Sequence, residues 1–391
     1  TVCAPTRCCL MNGVHTGHSY VRGNREVQPE GQSPIPADLV TIPKLLQKAG
    51  YTTGMFGKWG LGAPGSTGDP VNQGWDEFYG YNCQRQAHTY YPKHLWHNDE
   101  KIPMDGKTYS HDLIHEQSLK FIRDNAKRPF FAYLPITIPH AAMQCPEEDV
   151  APFRKKFSEF EDKIGKYSHG TRVRNPVASF AGMMTRMDRG VGEVLDLLHE
   201  LKIADNTLVL FTSDNGPHYE GGHQPGFFNS NGPLKGHKRD LYEGGIRVPL
   251  VAHWPGSVKA GSVSDHICAH WDLMPTLCDL AGIVTPKHSD GISYVPALTG
   301  GKQKKHDYLY WEFHSYGNTQ AIRMGDWKAI RLKVKNNPDA PIHLFNLAQD
   351  IGETKNIADQ HPEVVKRIEP LFKSARVESK NFPLYAQPKK K

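Results

Sequence analysis

The centre of the chain carries the stretch Thr207-Leu208-Val209-Leu210-Phe211-Thr212. A short apolar run with β-branched residues is typical of a buried strand in a parallel sheet. Phe130 to Leu134 is another run of this kind, Val248 to His253 is a further predicted strand, and Tyr51 to Phe56 is a short extended run. The sequence therefore predicts a sheet with several buried strands.

Segments with helical periodicity alternate with these strands. They are Leu39 to Ala49, Asp112 to Lys127, Val177 to Leu201 and Trp271 to Ala281. Such alternation predicts an α/β fold, in which helices sandwich a mixed, mostly parallel sheet. In folds of this class, loops at the carboxyl ends of strands line the functional site.

The sequence pattern changes after about residue 300. Short strands joined by turns there replace the alternation of strands and helices. These strands are Tyr308 to Phe313, Ala321 to Arg323, Trp327 to Arg331 and His343 to Phe345, and a helix follows from Pro362 to Lys373. We expect two units: a catalytic α/β domain over residues 1–300 and a small antiparallel sheet with a packed helix over residues 301–391. The glycine-containing stretch 298–302 is the expected linker.

Composition limits the class of protein. Of 391 residues, 38% are hydrophobic and 23% are charged, and no apolar run approaches the roughly 20 residues that a membrane helix needs. The net charge is +6, part of it in the tail Lys389–Lys391. A basic surface attracts an anionic polymer such as a sulfated glycan. No nucleic-acid motif is present, so we expect neither a nucleic-acid partner nor a membrane span.

Four motifs carry groups suited to an anion or a metal. They are Cys3-Ala4-Pro5-Thr6-Arg7, Gly57-Lys58-Trp59-Gly60-Leu61-Gly62, Asp214-Asn215-Gly216 and the run Gly232–Pro249, which ends Tyr-Glu-Gly-Gly-Ile-Arg-Val-Pro. An Asp and an Asn at a strand end can both present oxygen to Ca²⁺ or Mg²⁺. Taken alone, Asn-Gly is also a strong turn signal. A lysine supplies a point charge for a sulfate oxygen.

In this order, the motifs resemble those of type I, formylglycine-dependent sulfatases in the alkaline phosphatase superfamily. The resemblance implies that a formylglycine-generating enzyme oxidises Cys3 to formylglycine (3-oxoalanine), whose hydrate is the nucleophile. Arg7, Lys58 and Lys238 would surround the sulfate. His140, which follows the strand Phe130 to Leu134, would protonate the leaving alcohol, and a histidine near its ordinary pKa of about 6.5 suits that task.

The same resemblance implies a metal site formed by Cys3, Asp214 and Asn215, occupied by Ca²⁺ or alternatively by Mg²⁺. In the family, the Cys motif follows a first strand that ends in paired aspartates. The chain is therefore expected to be N-terminally truncated and to lack that metal-binding segment, and we expect weak metal binding without it. The mature protein is expected to be periplasmic or secreted.

The sequence departs from the family pattern at Gly60, where many relatives have a histidine that acts on the formylglycine intermediate. Four other histidines could substitute for it, namely His15, His18, His88 and His94. Thr6 replaces a more common Ser but keeps the hydroxyl. Pairing among the cysteines other than Cys3 cannot be read from their spacing.

Substrate contacts are expected from aromatic and polar side chains in two regions. His88 and Trp96 lie in a long loop-rich segment, and His314 follows a predicted strand of the small domain. Sugar sites often combine such groups, but packing of large aromatics is an equally good explanation.

The function expected is hydrolysis of a sulfate ester on a sulfated carbohydrate or an aryl sulfate. One alternative is hydrolysis of a phosphate or phosphonate ester by the same superfamily site. Another is an inactive homologue that only binds glycans, which Gly60 and the absent aspartates would explain.

Overall fold

The computed structural model describes residues 2–386, and the basic tail Lys389–Lys391 lies outside the described residues. Within that range the strands are β1 Thr52–Lys58, β2 Glu77–Tyr81, β3 His94–His97, β4 Glu100–Pro103, β5 Phe130–Tyr133, β6 Ile164–Lys166, β7 Arg172–Arg174, β8 Val209–Thr212, β9 Leu250–His253, β10 Leu309–Phe313, β11 Thr319–Met324, β12 Trp327–Leu332 and β13 Ile342–Asn346. The helices are α1 Cys3–Asn12, α2 Ile42–Lys48, α3 Ser110–Asn125, α4 Glu147–Lys156, α5 Pro176–Glu200, α6 Glu243–Ile246, α7 Leu273–Leu280, α8 Val295–Thr299, α9 Pro362–Ile368 and α10 Leu371–Ser374.

A mixed five-stranded sheet with the strand order β4-β3-β2-β1-β5 forms the centre of the molecule. β1 runs parallel to both β2 and β5, whereas β2, β3 and β4 pair antiparallel. Almost every residue of β1 is buried, and this strand ends at Lys58. The predicted α/β class with a mixed sheet is confirmed, and the carboxyl end of β1 reaches the pocket described below.

The expectation that the central apolar stretch forms a buried strand is wrong in one respect. β8 pairs antiparallel with β9 in a separate two-stranded sheet, and both strands are half-buried or exposed. The physical reason is a groove of about 2830 Å³ that runs between these strands and β5. Residues of all three strands line this groove, and within residues 2–386 no further strand pairs with β8 or β9.

Helix α1 is buried along its whole length and begins at Cys3. It ends at Asn12, and the next residue, Gly13, has φ of +68° and donates its N–H to the Cys9 carbonyl at 2.9 Å. A left-handed residue at this position is a common helix end and favours glycine. The helix therefore holds Cys3 and Arg7, one turn apart, on fixed backbone.

The C-terminal sheet is antiparallel with the order β10-β11-β12-β13, as predicted, and helices α9 and α10 pack on it. It also contacts the rest of the chain. Glu312 of β10 pairs with buried Arg22 at 2.7 Å and with Arg376 at 2.7 Å. The boundary at residues 300/301 stays a prediction. No helix within residues 2–386 has the length and apolar character needed to cross a bilayer.

Candidate active site

The first turn of α1 and the end of β1 bring Cys3 and Lys58 together. Lys58 Nζ lies 3.4 Å from the Cys3 Sγ, and both side chains are buried. Burial lowers the pKa of the Lys58 ammonium, and the nearby Cys3 thiol offsets only part of that shift. A desolvated ammonium beside the thiol gains strongly from a bound anion.

Arg7 adds a second cation on the same side of the pocket. Its guanidinium donates to the Lys58 carbonyl at 2.6 Å and to the Tyr133 hydroxyl at 3.4 Å. The Arg7 Nε is buried without a hydrogen-bond partner among the described residues. Because buried donors are normally paired, this N–H is available to an anion in the pocket.

The loop after β8 carries Asp214, whose carboxylate adds a negative charge to the pocket. The Thr6 hydroxyl donates to the Asp214 carbonyl at 3.0 Å and so ties α1 to this loop. Burial raises the pKa of the Asp214 carboxyl, but Arg7, Lys58 and Lys238 outweigh burial and the net shift is downward. Asp214 is therefore ionised despite its full burial.

The donor set beside Cys3 fits a hard divalent cation. Asn215 Nδ2 donates to the Gly216 carbonyl at 2.9 Å, whereas its Oδ1 is buried without a partner within residues 2–386. An unpaired amide oxygen next to the Asp214 carboxylate offers the oxygen ligands that Ca²⁺ and Mg²⁺ prefer.

His140 and Lys238 form the opposite wall. Lys238 Nζ lies 3.1 Å from His140 Nε2, and His140 Nδ1 lies 2.5 Å from the Ala141 carbonyl. These contacts define a neutral ring that donates from Nδ1 and accepts from the ammonium at Nε2. Burial, Lys58 and Lys238 lower the pKa of His140 well below its ordinary value. The expectation of an ordinary histidine pKa is therefore wrong, because two cations face this ring.

Three aromatic rings surround His140. His88 stacks on it with ring centroids 5.4 Å apart, Tyr167 meets it edge to face at 5.5 Å, and His218 is tilted against it at 5.8 Å. Burial and the charge of Lys58 lower the pKa of His88 to about 4. His88 is therefore uncharged near neutral pH.

Glu220 balances the cations on this wall. Its carboxylate lies 3.5 Å from Lys238 Nζ and 3.0 Å from His218 Nδ1, and it also contacts the Arg239 guanidinium. Burial alone raises the pKa of Glu220, but His218, Lys238 and Arg239 lower it further than burial raises it. Glu220 is thus ionised and holds Lys238 beside His140.

The structure brings most of the predicted residues together but holds two of them elsewhere. The residues that lie in or beside the pocket are Cys3, Arg7, Lys58, His88, His140, Asp214, Asn215 and Lys238. Trp96 donates its indole N–H to Glu30 at 2.9 Å, and His314 lies 2.8 Å from the Glu312 carboxylate. These contacts favour a structural role for Trp96 and His314 over contact with the substrate. Each ring contacts a buried or half-buried carboxylate outside the pocket.

Of the four histidines considered as substitutes at Gly60, His88 alone contacts the residues of this pocket. His15 and His18 lie against Asp290, and His94 lies against Glu30. Gly60 has φ of +89°, and a Cβ built there would lie 2.4 Å from the Gln84 side chain. Gln84 therefore fills the space next to Gly60, and its buried Nε2 has no partner within residues 2–386.

Sequence reasoning missed Tyr167, His218 and Glu220. His218 and Glu220 follow the Asp214-Asn215-Gly216 motif by a few residues, so proximity to that motif could have indicated them. Tyr167 lies at the turn of the β6–β7 hairpin, in a segment without any motif. None of the seven cysteines, all of which lie in the described range, forms a disulfide.

The pocket thus combines the cations Arg7, Lys58 and Lys238, which suit a bound anion, with the oxygen atoms of Asp214 and Asn215, which suit a hard cation. A family model described as Sulfatase matches residues 1–283, and one described as N-sulphoglucosamine sulphohydrolase, C-terminal, matches residues 236–378. The chain belongs to the sulfatase family.

Similar proteins agree with this assignment. The N-acetylgalactosamine-6-sulfatase of Canis lupus familiaris is 30% identical over 354 residues, covering 84% of this chain and 62% of that protein. The chain thus spans less than two thirds of the length of this relative. A crystal structure of Ps i-CgsB in complex with k-i-k-neocarrahexaose superposes with a TM-score of 0.77 at 28% identity, covering 99% of this chain and 84% of the other.

The phosphonate monoester hydrolase SpPMH from Silicibacter pomeroyi shares the fold, with a TM-score of 0.63 at 20% identity over 96% of this chain and 86% of that chain. At that identity the likeness concerns the fold alone.

Proposed function

We propose that this chain is the catalytic part of a sulfuric ester hydrolase that removes sulfate from a sulfated carbohydrate. The observation that carries the proposal is the convergence of Arg7, Lys58 and Lys238 on one pocket beside Cys3. Fixed cations in a desolvated pocket stabilise the negative charge of a transferring sulfuryl group more than water does.

Two groups that the family implies would complete the site. Oxidised to formylglycine, Cys3 supplies a hydrated aldehyde, whose hydroxyl is the oxygen nucleophile that a thiol cannot replace. Asp214 and Asn215, with the group at Cys3, would hold a Ca²⁺ or Mg²⁺ ion, which would supply Lewis acidity toward a sulfate oxygen.

The remaining roles belong to side chains of the chain itself. Lys58 and the free Nε–H of Arg7 hold the ester's sulfate oxygens. The sulfate offsets the positive charge that lowers the pKa of His140, so His140 can take a proton on Nε2. From Nε2 the proton passes to the leaving alcohol oxygen, while the contact of Nδ1 with the Ala141 carbonyl orients the ring during this step.

A carbohydrate leaving group is supported by three observations. The chain has a net charge of +6, which favours encounter with an anionic polymer. A 30% identical relative is named for action on N-acetylgalactosamine sulfate. A structural neighbour was crystallised with a neocarrahexaose. A periplasmic or secreted location stays a prediction that follows from such a substrate.

The test uses the protein co-expressed with a formylglycine-generating enzyme. Release of sulfate and of phosphate is measured from matched aryl esters, and mass analysis of the Cys3 peptide reports whether the aldehyde has formed. Cys3→Ala is expected to abolish sulfate release. Cys268→Ala is the matched control, since Cys268 is half-buried and lies outside the set of anion-binding groups.

Each outcome has a distinct meaning. Sulfate release that vanishes in Cys3→Ala supports the proposal. Faster release of phosphate than of sulfate would favour a phosphate or phosphonate esterase instead. Glycan binding without release from either ester, in protein with a converted Cys3, would indicate a binding homologue whose activity was lost with the changes near Gly60.

A further inference from the structure

The contact between the Cys3 thiol and the Lys58 amine has a chemistry of its own in protein whose Cys3 has not been converted to formylglycine. The Sγ and Nζ atoms are 3.4 Å apart, and the two side chains are only 5% and 3% exposed. Cys3 begins helix α1 and Lys58 ends strand β1. Two fixed backbone segments therefore hold a sulfur and a nitrogen together.

The groove gives a small oxidant a route to this contact, because Arg7 and Lys58 are among the residues that line it. Hydrogen peroxide oxidises a cysteine to a sulfenic acid. In that step the sulfur attacks one peroxide oxygen and the O–O bond breaks. The second oxygen leaves as water with the thiol proton. A sulfenic acid remains reactive until a second nucleophile condenses with it.

The cysteines nearest to Cys3 in the sequence are badly placed to supply this second nucleophile. Cys8 and Cys9 lie on the same helix, five and six residues further on. Such spacings correspond to about 7.5 and 9 Å along a helix axis, whereas a disulfide requires Cα atoms within about 7 Å of each other. The nucleophile in direct contact with the Cys3 sulfur is the Lys58 nitrogen.

We propose that peroxide joins an unconverted Cys3 to Lys58 through a sulfenamide. The Lys58 nitrogen attacks the sulfur of the sulfenic acid, so that an S–N bond forms and the S–O bond breaks. The hydroxide leaves as water with one proton of the ammonium group, and a second proton passes to solvent. A backbone nitrogen reacts with a sulfenic acid in the same way, and the oxidation remains reversible at this level.

The cross-link changes two groups of the anion pocket at once. Lys58 loses its positive charge, and the Cys3 sulfur is protected from irreversible oxidation to a sulfinic acid. Oxidised protein should therefore bind inorganic sulfate roughly tenfold less tightly, as the loss of one charge-assisted contact implies. This inference goes beyond the proposed function and does not depend on it, because it concerns only protein that retains the thiol.

The test uses the protein expressed without a formylglycine-generating enzyme, treated with equimolar hydrogen peroxide and digested without a reductant. Mass analysis should show the Cys3 peptide joined to the Lys58 peptide, with the summed mass less two hydrogen atoms. Dithiothreitol should separate the two peptides and restore the affinity for sulfate. The half-buried Cys145 and Cys268 serve as internal references and should form no bond to a lysine.

Two variants and an unfolded sample show whether the contact is responsible. Lys58→Arg keeps the positive charge but lacks the amine, so Cys3 should remain a sulfenic acid that dimedone traps. The matched control is Lys238→Arg, because Lys238 contacts His140 and Glu220 in the same pocket, and it should form the cross-link as the parent does. Circular dichroism checks that both variants are folded. Parent protein treated in urea should form no cross-link, because the contact exists only in the folded chain.

The products decide between the outcomes. A Cys3–Lys58 peptide of the stated mass, formed in the folded parent and separated by dithiothreitol, supports the proposal. A disulfide at Cys3, a sulfinic acid without a cross-link, or a bridge that retains the oxygen atom would overturn it. An equal yield of cross-link in urea would overturn it as well, since the reaction would then owe nothing to the folded contact.

Discussion

Lys328 of the C-terminal sheet and Glu243 of the loop Gly232–Pro249 form a fully buried ion pair, with Nζ and Oε1 2.6 Å apart. Arg323 of the neighbouring strand also contacts Glu243, at 3.0 Å. Lys328 and Arg323 of the C-terminal sheet thus hold the loop that carries Lys238 through their contacts with Glu243. This sheet therefore helps to position the loop that carries Lys238.

Lys328→Met should destabilise the protein by about 3–5 kcal/mol, because it leaves the buried Glu243 carboxylate without its nearest cation. Urea unfolding measures this loss. The affinity for inorganic sulfate should fall as well, since the loop that carries Lys238 loses its support.

The matched control for this prediction is Arg247→Gln. Arg247 also pairs with Glu243, but at 3.7 Å and from a half-exposed position, so its loss should cost less than about 1 kcal/mol. Equal effects of the two substitutions on the free energy of unfolding would contradict the prediction.

Binding of inorganic sulfate near neutral pH should be accompanied by proton uptake at His140. Burial, together with Lys58 and Lys238, keeps the pKa of His140 well below its ordinary value in the free protein. A bound anion offsets these charges, raises this pKa and favours the protonated ring. Calorimetry in two buffers with different ionisation enthalpies measures the number of protons taken up.

His140→Gln should remove this uptake and retain some sulfate affinity, because Arg7 and Lys58 remain. A glutamine cannot be protonated, so uptake that persists in this variant would show that another group titrates.

Calcium and sulfate should bind this chain cooperatively. Asp214 is one carboxylate among the three cations Arg7, Lys58 and Lys238, so a divalent cation beside it is repelled until an anion enters the pocket. We expect CaCl₂ alone to raise the unfolding temperature little, and CaCl₂ with sulfate to raise it by more than the two separate shifts together.

Asp214→Asn should abolish the additional shift, because it removes the charged oxygen ligand. Strong stabilisation by calcium without sulfate would contradict the expected weak metal binding.

Glu353 should make stability depend on pH. Its carboxylate accepts the Glu243 N–H at 2.7 Å and lies 3.8 Å from Lys328 Nζ. Burial raises the pKa of Glu353 to about 7, and the attraction of Lys328 and Lys235 offsets only part of that effect. The folded protein therefore keeps this proton to higher pH than the unfolded chain does. The contribution is complete below about pH 4.5 and is lost as pH rises through 7.

The measurement compares urea unfolding of the parent protein and Glu353→Gln between pH 4.5 and 8. The parent should lose stability relative to the variant as pH rises across this range. A constant difference between the two would show that the pKa of Glu353 is not raised.

The sequence allowed prediction of the fold class, most helices and the group of residues around Cys3. Periodicity located α3 and α5 to within a few residues, because their buried faces repeat along the chain. The burial of β8 could not be predicted in this way. Its apolar side chains are those of a core strand, yet whether another strand covers them depends on distant segments.

The candidate site shows the same limit. Motifs indicated Lys58, Lys238 and His140, but not the low pKa of His140, which arises when the fold buries the ring and brings both lysines to it. Trp96 and His314 have the composition of sugar-binding residues. Their carboxylate partners, 66 and 2 residues away, were not recognisable as partners from the sequence.

The hydrogen bond from Thr6 to the Asp214 carbonyl joins positions 208 residues apart, and Arg7 reaches the Lys58 carbonyl across 51 residues. Contacts between such distant positions form late, because closing long loops costs entropy before any contact repays it. Affinity for inorganic sulfate should therefore report whether the chain has reached its complete native fold. A partly folded chain could keep its helices and its C-terminal sheet and still fail to retain the anion.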